Sequence, residues 1–483
     1  MKKFLLFIAL LFEISASCTA QIDLCLPVAT AKGAAVTAVV NDWECIGINP
    51  SNLGWADNHK FSFTILNVGL SVQSSALSYS MLRNLLLHPS DTFSTAQKHQ
   101  FGQILSNPNG LNLYGDVNWA AFSFKIPKIG GFAMNLRDRV IAHVTLSPTA
   151  ADILFNGLNS QAYQDSTKTL ASKISNELAG TNFSLYQYRE LNLDWGRELF
   201  RIGGGGGSVS SFDVESNQKT ATETSDLDPD FNTLRVYGGL GLKYLWGLAN
   251  VYGDITPGGL YARSSVTNSY GINYGNIPNF TPTNAGNLFN NVGTGTAMDI
   301  GLSAAYKNWK FGVAATDLGA IYWKHNTLTA IDTNMPRLAA NNYGINSILG
   351  SNFGIANGTF LNFAPGPDYW LALPSKLRTG VSYTLSKIIT LSADIDFPLN
   401  NVIGNIQYPF YATAAQFNIC KSFSVSAGFC GNQTYGFNMP IGICIGISDK
   451  VQFYITTSDV LTYLGKQNNP NISAAFGLLR INF

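Results

Sequence analysis

The chain has 483 residues and a net charge of +1, and only 12% of its residues are charged while another 12% are aromatic. Intrinsic disorder is excluded, because disordered chains are rich in charge and poor in aromatic residues. With a net charge close to zero, the protein as a whole does not attract nucleic acid or an anionic membrane surface electrostatically. With 46 glycines, the composition is typical of a β protein that contacts an apolar environment.

The first twenty residues have the pattern of a secretory signal peptide. Two lysines precede the apolar stretch 4–12, and small residues follow over 15–20. This order predicts cleavage after Ala20, so that residues 1–20 are removed. The alternative is a lipoprotein acylated at Cys18. Beyond residue 20 the sequence contains no apolar run of the roughly 18 residues that a membrane helix needs, which leaves a soluble protein, a surface-attached protein or a transmembrane β-barrel.

Alternating patterns of about ten residues, typical of transmembrane β-barrels, predict fourteen strands. We place them at 60–75, 113–125, 131–147, 183–196, 234–252, 294–306, 310–323, 376–385, 388–397, 411–419, 422–431, 439–447, 451–458 and 472–483. Short and long connections alternate between them, as expected for tight periplasmic turns and long outer loops. The exception is 197–233, which is either an insertion or one more hairpin that would make sixteen strands.

Two of the predicted outer loops have helical periodicity. Apolar residues recur at a spacing of four within 150–180, and segment 80–105 has a similar character. The predicted fold class is therefore all-β, an antiparallel transmembrane barrel of about fourteen strands with short helices on its outer loops.

The last strand predicts a barrel-assembly signal. Leu479, Ile481 and the terminal Phe483 alternate along one face, to which Gly477 also belongs, while Leu478 is expected on the other. A terminal Phe preceded by apolar residues at this spacing resembles the pattern that barrel assembly machinery recognises in outer-membrane proteins.

The segment before the first strand is predicted to fold inside the barrel. Residues 22–56 are too rich in Ala, Gly and Val, and alternate too little, to form a membrane strand. Their apolar side chains, including Val36, Val40 and Trp43, are nevertheless unsuited to water. We therefore expect an N-terminal hatch at 21–58 and a barrel at 59–483, with Pro50 imposing an extended backbone on the residue before it. The alternative is a periplasmic tail with one amphipathic patch.

Catalytic patterns are sparse, and we expect no enzyme, no cofactor and no metal site. The five histidines form no metal-ligand spacing. The run Gly203–Gly207 lacks the ending of a phosphate-binding loop and is interpreted as a linker. Asp394 and Asp396 share a strand face and are expected to be solvated carboxylates in the lumen, with a cation or acid pair as the alternative.

Three further features of the sequence remain open. Asp317 either interrupts a strand for a functional reason or faces water in the lumen. The mixed charges at 137–139 are expected to pair across the lumen. Five cysteines remain after cleavage, and Cys25 with Cys45 is the one plausible disulfide; the alternative is two small buried residues.

Segment 31–54 resembles the N-terminal hatch of the FadL-type outer-membrane barrels. The resemblance rests on a glycine start, an acidic residue and an Asn-Pro turn, although Ser51-Asn52 stands where that family often has Ala-Gly. The hatch residues that it singles out are Gly33, Asp42, Trp43, Gly47, Asn49 and Pro50. Segments 317–323 and 373–383 look like strands of a poorly characterised branch that also contains barrels of the type IX secretion system.

The resemblance implies a fourteen-stranded barrel in the outer membrane of a Gram-negative bacterium, surrounded by outer-membrane lipids. It also implies uptake of hydrophobic or amphipathic small molecules through a lumenal pocket and a lateral exit. The alternative is a scaffold barrel that binds secretion-system proteins. Nucleic acid is not an expected partner.

Overall fold

The structure is a computed structural model that describes most of the chain after residue 25. The described residues are 26–74, 94–106, 110–164, 166–203, 232–268, 277, 280–282, 291–335, 362–402, 404–420, 422–432, 436–447, 451–464 and 471–483. The predicted signal peptide, Cys18 and Cys25 lie outside them. The signal peptide and the boundaries of the hatch and barrel therefore stay predictions.

Nineteen strand segments form one continuous sheet. Four of them extend its outer end and two are halves of one strand, so the barrel has fourteen strands, all antiparallel. They are β1 Phe61–Ser74, β2 Leu111–Ile126, β3 Gly130–Thr145, β4 Thr181–Ile202, β5 Leu234–Thr256, β6 Gly293–Tyr306, β7 Trp309–Trp323, β8 Lys376–Thr384, β9 Ile389–Pro398, β10 Phe410–Cys420, β11 Phe423–Asn432, β12 Gly436–Asn438 with Ile441–Gly446, β13 Val451–Thr457 and β14 Asn471–Asn482. The predicted fold class is confirmed.

The barrel closes between its first and last strands. Phe63 lies opposite Ile481, and Phe61 and Phe483 exchange backbone hydrogen bonds of 2.8 and 3.2 Å. Strands β4 and β5 pair directly, from Thr181 opposite Ile255 down to Ile202 opposite Leu234. No strand therefore stands between them, and the barrel has fourteen strands rather than sixteen.

The outer end of the barrel is extended by short strands and helices. The outer strands are Gly259–Val266, Thr327–Ile331, Asn362–Pro365 and Tyr369–Ala372. The first helix, α1 Pro27–Ala31, precedes the barrel. The helices of the described loops are α2 Thr95–Leu105, α3 Pro148–Asn156, α4 Ser166–Ala171, α5 Ile174–Glu177 and α6 Val460–Tyr463, with 3₁₀ turns at Gly157–Asn159 and Gln161–Tyr163. Helix α3 begins after Ser147, whose hydroxyl accepts from the Ala150 N–H. No helix of the described chain is long and apolar enough to span a membrane.

The outward face of the wall carries large apolar side chains, as expected for strands that meet lipid. Exposed examples are Ile65, Leu70, Trp119, Leu193, Leu242, Ile300, Leu302, Phe311, Leu391, Phe429, Ile443, Ile455 and Phe476.

The expected alternation of β14 is wrong at two residues. Leu478 points outward with 53% exposure, and Gly477 is buried. The cause is a bulge in the pairing of β14 with β13, where Gln452 and Tyr454 lie opposite Arg480 and Gly477, so that β14 has one extra residue. On the other side of β14, Leu478 and Leu66, which adopts φ 51°, are both skipped in the pairing with β1. Such a bulge shifts the faces of the residues on one side of it. Leu479 and Ile481 are partly exposed and Phe483 is exposed, so all three lie outward as expected.

Candidate functional site: a layered lumen

The N-terminal residues 26–58 lie inside the barrel, at the end where the short turns are. They comprise helix α1 Pro27–Ala31 and two 3₁₀ turns, Asp42–Cys45 and Pro50–Gly54. Val36, Val40 and Trp43 form one apolar cluster with wall residues such as Ala121 and Phe410. We call this segment the hatch. Its apolar side chains are thus removed from water without forming a membrane strand.

Polar side chains of the wall bind the backbone of the hatch. The Asp394 carboxylate accepts hydrogen bonds of 2.8 and 2.7 Å from the N–H groups of Val36 and Thr37. The hydroxyls of Ser382 and Ser392 donate to carbonyl oxygens of the hatch. Because these bonds satisfy backbone groups that no regular element pairs, the wall stabilises an irregular chain inside the lumen.

A row of glycines allows the hatch to approach the wall closely. Gly131, Gly196, Gly239 and Gly301 are successive cross-strand partners on β3, β4, β5 and β6. A Cβ atom at any of them would lie only 2.1–2.3 Å from an atom of the hatch, at Leu53, Pro50, Pro50 and Asn49 in turn. The row is therefore a seat that only glycine can form.

Asn49 and Pro50 sit on this seat. Asn49 is extended, with φ −158° and ψ 98°, and its side chain accepts from both the N–H and the hydroxyl of Ser51. Its amide also donates to the Thr37 carbonyl at 3.4 Å. Asn49 thus ties the final turn of the hatch to its middle.

The charged residues of the hatch meet the last strand. Arg480 of β14 pairs with Asp42 at 3.1 Å and with Glu44 at 3.0 Å, and His59 lies 2.7 Å from Asp42. Burial raises the pKa of Glu44, and Arg480 opposes that shift. Asp42 has a left-handed φ of 54°. The ion pairs fasten the hatch to the seam where the barrel closes.

Lys32 lines a polar cavity of about 180 Å³ between the hatch and the wall, together with Glu44, Ser424, Tyr454 and Arg480. Burial lowers the pKa of Lys32 to about 8, which the nearby Glu44 partly offsets. The hatch is therefore packed tightly against the glycine row of β3–β6 and loosely against β11–β14.

The other predicted hatch residues also have defined positions. Gly33 has φ 57°, and a Cβ atom there would lie 2.6 Å from the sulfur of Cys430. Trp43 is 4% exposed, with Arg480 5.9 Å from its ring centre. Gly47 has φ 73°, and a Cβ atom there would lie 3.5 Å from Nη1 of Arg137. Both glycines occupy backbone conformations that other residues avoid.

Above the hatch lies a layer of buried ion pairs, which we call the ionic layer. Lys243 binds Asp317 at 2.5 Å and Asp299 at 2.9 Å, and Arg139 binds Asp317 at 3.0 Å. Arg137 pairs with Asp116 at 2.7 Å. The layer also includes Glu190, 3.5 Å from Arg137, and Asp194.

The ionic layer decides the open questions about Asp317 and residues 137–139. Asp317 is 2% exposed, with φ 59°, so it does not face water. Arg137 and Arg139 point inward and pair as expected. Asp138 instead points outward, where it pairs with Arg189 at 2.6 Å.

The next layer toward the outer loops is apolar and mainly aromatic. Its members, the aromatic layer, are Tyr114, Ile141, Tyr186, Tyr188, Leu245, Val292, Ala297, Ile321, Trp323, Leu371 and Leu373, with Tyr369 packed against them. The rings of Tyr186 and Tyr188 are 4.9 Å apart. The hydroxyls of Tyr186 and Tyr188 and the Trp323 indole N–H are buried without a hydrogen-bond partner.

The three layers can be followed along a single strand. On β4, Tyr186 and Tyr188 belong to the aromatic layer, Glu190 to the ionic layer and Gly196 to the seat of the hatch. A further apolar cluster at the outer end of the barrel, which we call the loop cluster, includes Ile153 of α3 and Leu328 of an outer strand. The lumen is therefore filled in layers, unlike the water-filled channel of a porin.

The expectation that Asp394 and Asp396 are solvated is wrong. Both are 4% exposed. Asp394 binds the hatch, and Asp396 binds Arg378 at 2.5 Å. The hatch excludes water from this side of the lumen, so the carboxylates are paired with protein groups instead.

Cys45 is a free, buried thiol, and burial raises its pKa well above the usual range. The structure thus does not support the disulfide with Cys25. Among the described residues, no group of three or more His, Cys, Asp or Glu is placed to hold a metal ion.

Sequence reasoning missed the ionic and aromatic layers. Asp116, Glu190, Lys243 and Asp299 are charged residues in the middle of strands. That pattern marks inward positions, but the pairing of distant strands decides which charges meet.

The family model described as "Family of unknown function (DUF5723)" matches residues 229–458. No curated protein matches the chain. Similar solved structures include the P. putida toluene transporter TodX, with 8% identity, 96% of this chain and 99% of that chain covered, and a TM-score of 0.41.

Two others are the CymD monoaromatic hydrocarbon channel and a Pseudomonas aeruginosa FadL homologue. The first has 10% identity over 95% of this chain and 97% of that chain. The second has 10% identity over 97% and 99%, and both have a TM-score of 0.40. One of these similar structures is a FadL homologue, and the sequence resembles the same type of barrel. The relation to type IX barrels stays a prediction.

Proposed function

We propose that this protein takes up hydrophobic or amphipathic small molecules across the outer membrane. The observation that carries the proposal is the aromatic layer, which is buried in the lumen and bounded by the ionic layer on its inner side. A lumen built for ions or sugars is lined by polar groups, whereas this layer offers rings and aliphatic side chains to an apolar solute.

The ionic layer supports a sideways exit. An apolar molecule that moved straight down the lumen would have to separate buried ion pairs, and separating such pairs without replacement is costly. A molecule that leaves through the wall above that layer enters the bilayer, where apolar surface is favoured. The wall is hydrogen-bonded all round in this structure, so the proposed exit requires a local opening between strands.

The test compares molecules that co-purify with the detergent-extracted protein, identified by mass spectrometry. Leu245 is 0% exposed in the aromatic layer, and Leu328 is 1% exposed in the loop cluster. Leu245→Asn should reduce the amount of bound compound by roughly tenfold, because an unpaired amide in an apolar site costs about 1–3 kcal/mol. Leu328→Asn is the matched control and should retain the compound.

Two results would contradict the proposal. One is a wild-type protein that carries no apolar compound and co-purifies with protein partners, as the scaffold alternative requires. The other is equal retention by the two folded variants, which would place any bound molecule outside the aromatic layer.

A further inference from the structure

The ionic layer has more acids than bases. Its inward-facing carboxylates are Asp116, Glu190, Asp194, Asp299 and Asp317, and its bases are Arg137, Arg139 and Lys243, all at most 3% exposed. If every group is ionised, the layer carries an excess of two negative charges. Buried charge without compensation is strongly unfavourable.

The excess is concentrated on β4. The unpartnered oxygens there are Oε2 of Glu190, Oδ1 of Asn192 and both carboxylate oxygens of Asp194. These three residues occupy successive inward positions and are 0% exposed. All four atoms are hydrogen-bond acceptors, and a cation or water molecules would satisfy them.

Asp194 has room to reach across to Asp299. Gly241 of β5 is the cross-strand partner of both residues. A Cβ atom at Gly241 would lie 2.6 Å from Oδ1 of Asp194, so the carboxylate rests on the backbone of the glycine. The two acids therefore flank one small residue, directly above the hatch.

We propose that Asp194, with Asp299 across Gly241, binds one hydrated divalent cation of the Mg²⁺ type. One such ion balances the excess charge of the layer. Mg²⁺ characteristically keeps several waters and takes only one or two carboxylates from a protein. Its waters donate to Asn192 and Glu190. A proton on Asp194 would leave those two oxygens unpaired, which favours the metal ion.

The test uses the full mature protein, folded in detergent and stripped with EDTA. Mn²⁺ serves as the spectroscopic substitute for Mg²⁺, and bound Mn²⁺ is counted by equilibrium dialysis and electron paramagnetic resonance. We expect one Mn²⁺ per barrel, displaced by excess Mg²⁺. Asp194→Asn should weaken its binding by at least about tenfold, the factor that even supporting residues of metal sites are typically worth.

Two further variants separate binding from folding. Gly241→Ala keeps every ligand but pushes the Asp194 carboxylate away, so it should also weaken Mn²⁺ binding. Asp138→Asn removes the outward carboxylate that pairs with Arg189 and should bind Mn²⁺ like the wild type. Each variant is shown to be folded if its band on an unboiled denaturing gel migrates differently from the band of the boiled sample, as folded barrels do.

The proposal is overturned if the wild type binds no Mn²⁺, or if Asp194→Asn and Asp138→Asn bind it equally.

Discussion

At the scale of single residues, Lys32 is a buried cation that makes stability depend on pH. Burial lowers its pKa from 10.5 to about 8. Between these two values the unfolded chain holds the proton and the folded chain does not, so the free energy of unfolding rises with pH. Below about pH 8 both states are protonated, and the penalty of the buried charge is present in full.

Lys32→Met should therefore stabilise the folded protein at pH 7 by roughly 1–3 kcal/mol. It should also remove the rise in stability between pH 8 and 10.5. Urea unfolding of the reconstituted barrel at a series of pH values measures both effects. The exposed Lys60 provides the control, since Lys60→Met should leave the pH profile unchanged. A persistent rise in the Lys32→Met protein would refute this assignment.

At the scale of elements, the glycine row joins the hatch to four strands. The atoms closest to a Cβ at Gly239 are the Pro50 carbonyl carbon and the Ser51 nitrogen, both at 2.3 Å. Backbone atoms cannot rotate away as side chains do, so added volume must displace the hatch or the strand.

Gly239→Ala should destabilise the protein by about 1–3 kcal/mol, the usual cost of overpacking, and should increase its ion conductance in planar bilayers. The neighbouring Gly238 is the matched control, because a Cβ there first meets the flexible Leu199 side chain at 2.9 Å. If the two alanine variants conduct and unfold alike, the seat does not hold the hatch in place.

At the scale of the whole molecule, the hatch determines whether water crosses the barrel. It fills the end of the lumen with the short turns and is held by Arg480, Asp394 and the glycine row. The proposed uptake of apolar molecules depends on this seal, because a water-filled pore offers an apolar solute no gain.

Removal of residues 22–46, with the signal segment kept, should leave a folded barrel that conducts ions in planar bilayers. The full protein should be nearly closed, since the hatch keeps water from the ionic layer. Equal conductance of the two proteins would show that the segment does not seal the lumen, and the uptake mechanism would have to be abandoned.

The fold was largely predictable because its signals are local. Alternation along each strand identifies the segments that face lipid, and the short turns fix their order. The positions of β2 and β10, for example, follow from their own residues. The face of Leu478 did not, because the bulge arises only where β14 pairs with β13 and β1 in the closed barrel.

The candidate site was much less predictable. Local patterns were enough to predict that the chain forms a barrel and that its apolar N-terminal residues need a buried place. The three-dimensional contacts were needed to show that Asp394 holds the hatch and that Asp317 meets Lys243 and Arg139. They were also needed to show that Trp323 lies in the same layer as Tyr186. These contacts join strands far apart in the chain, and the register of the closed sheet, which no local pattern encodes, sets the height at which each inward side chain enters the lumen.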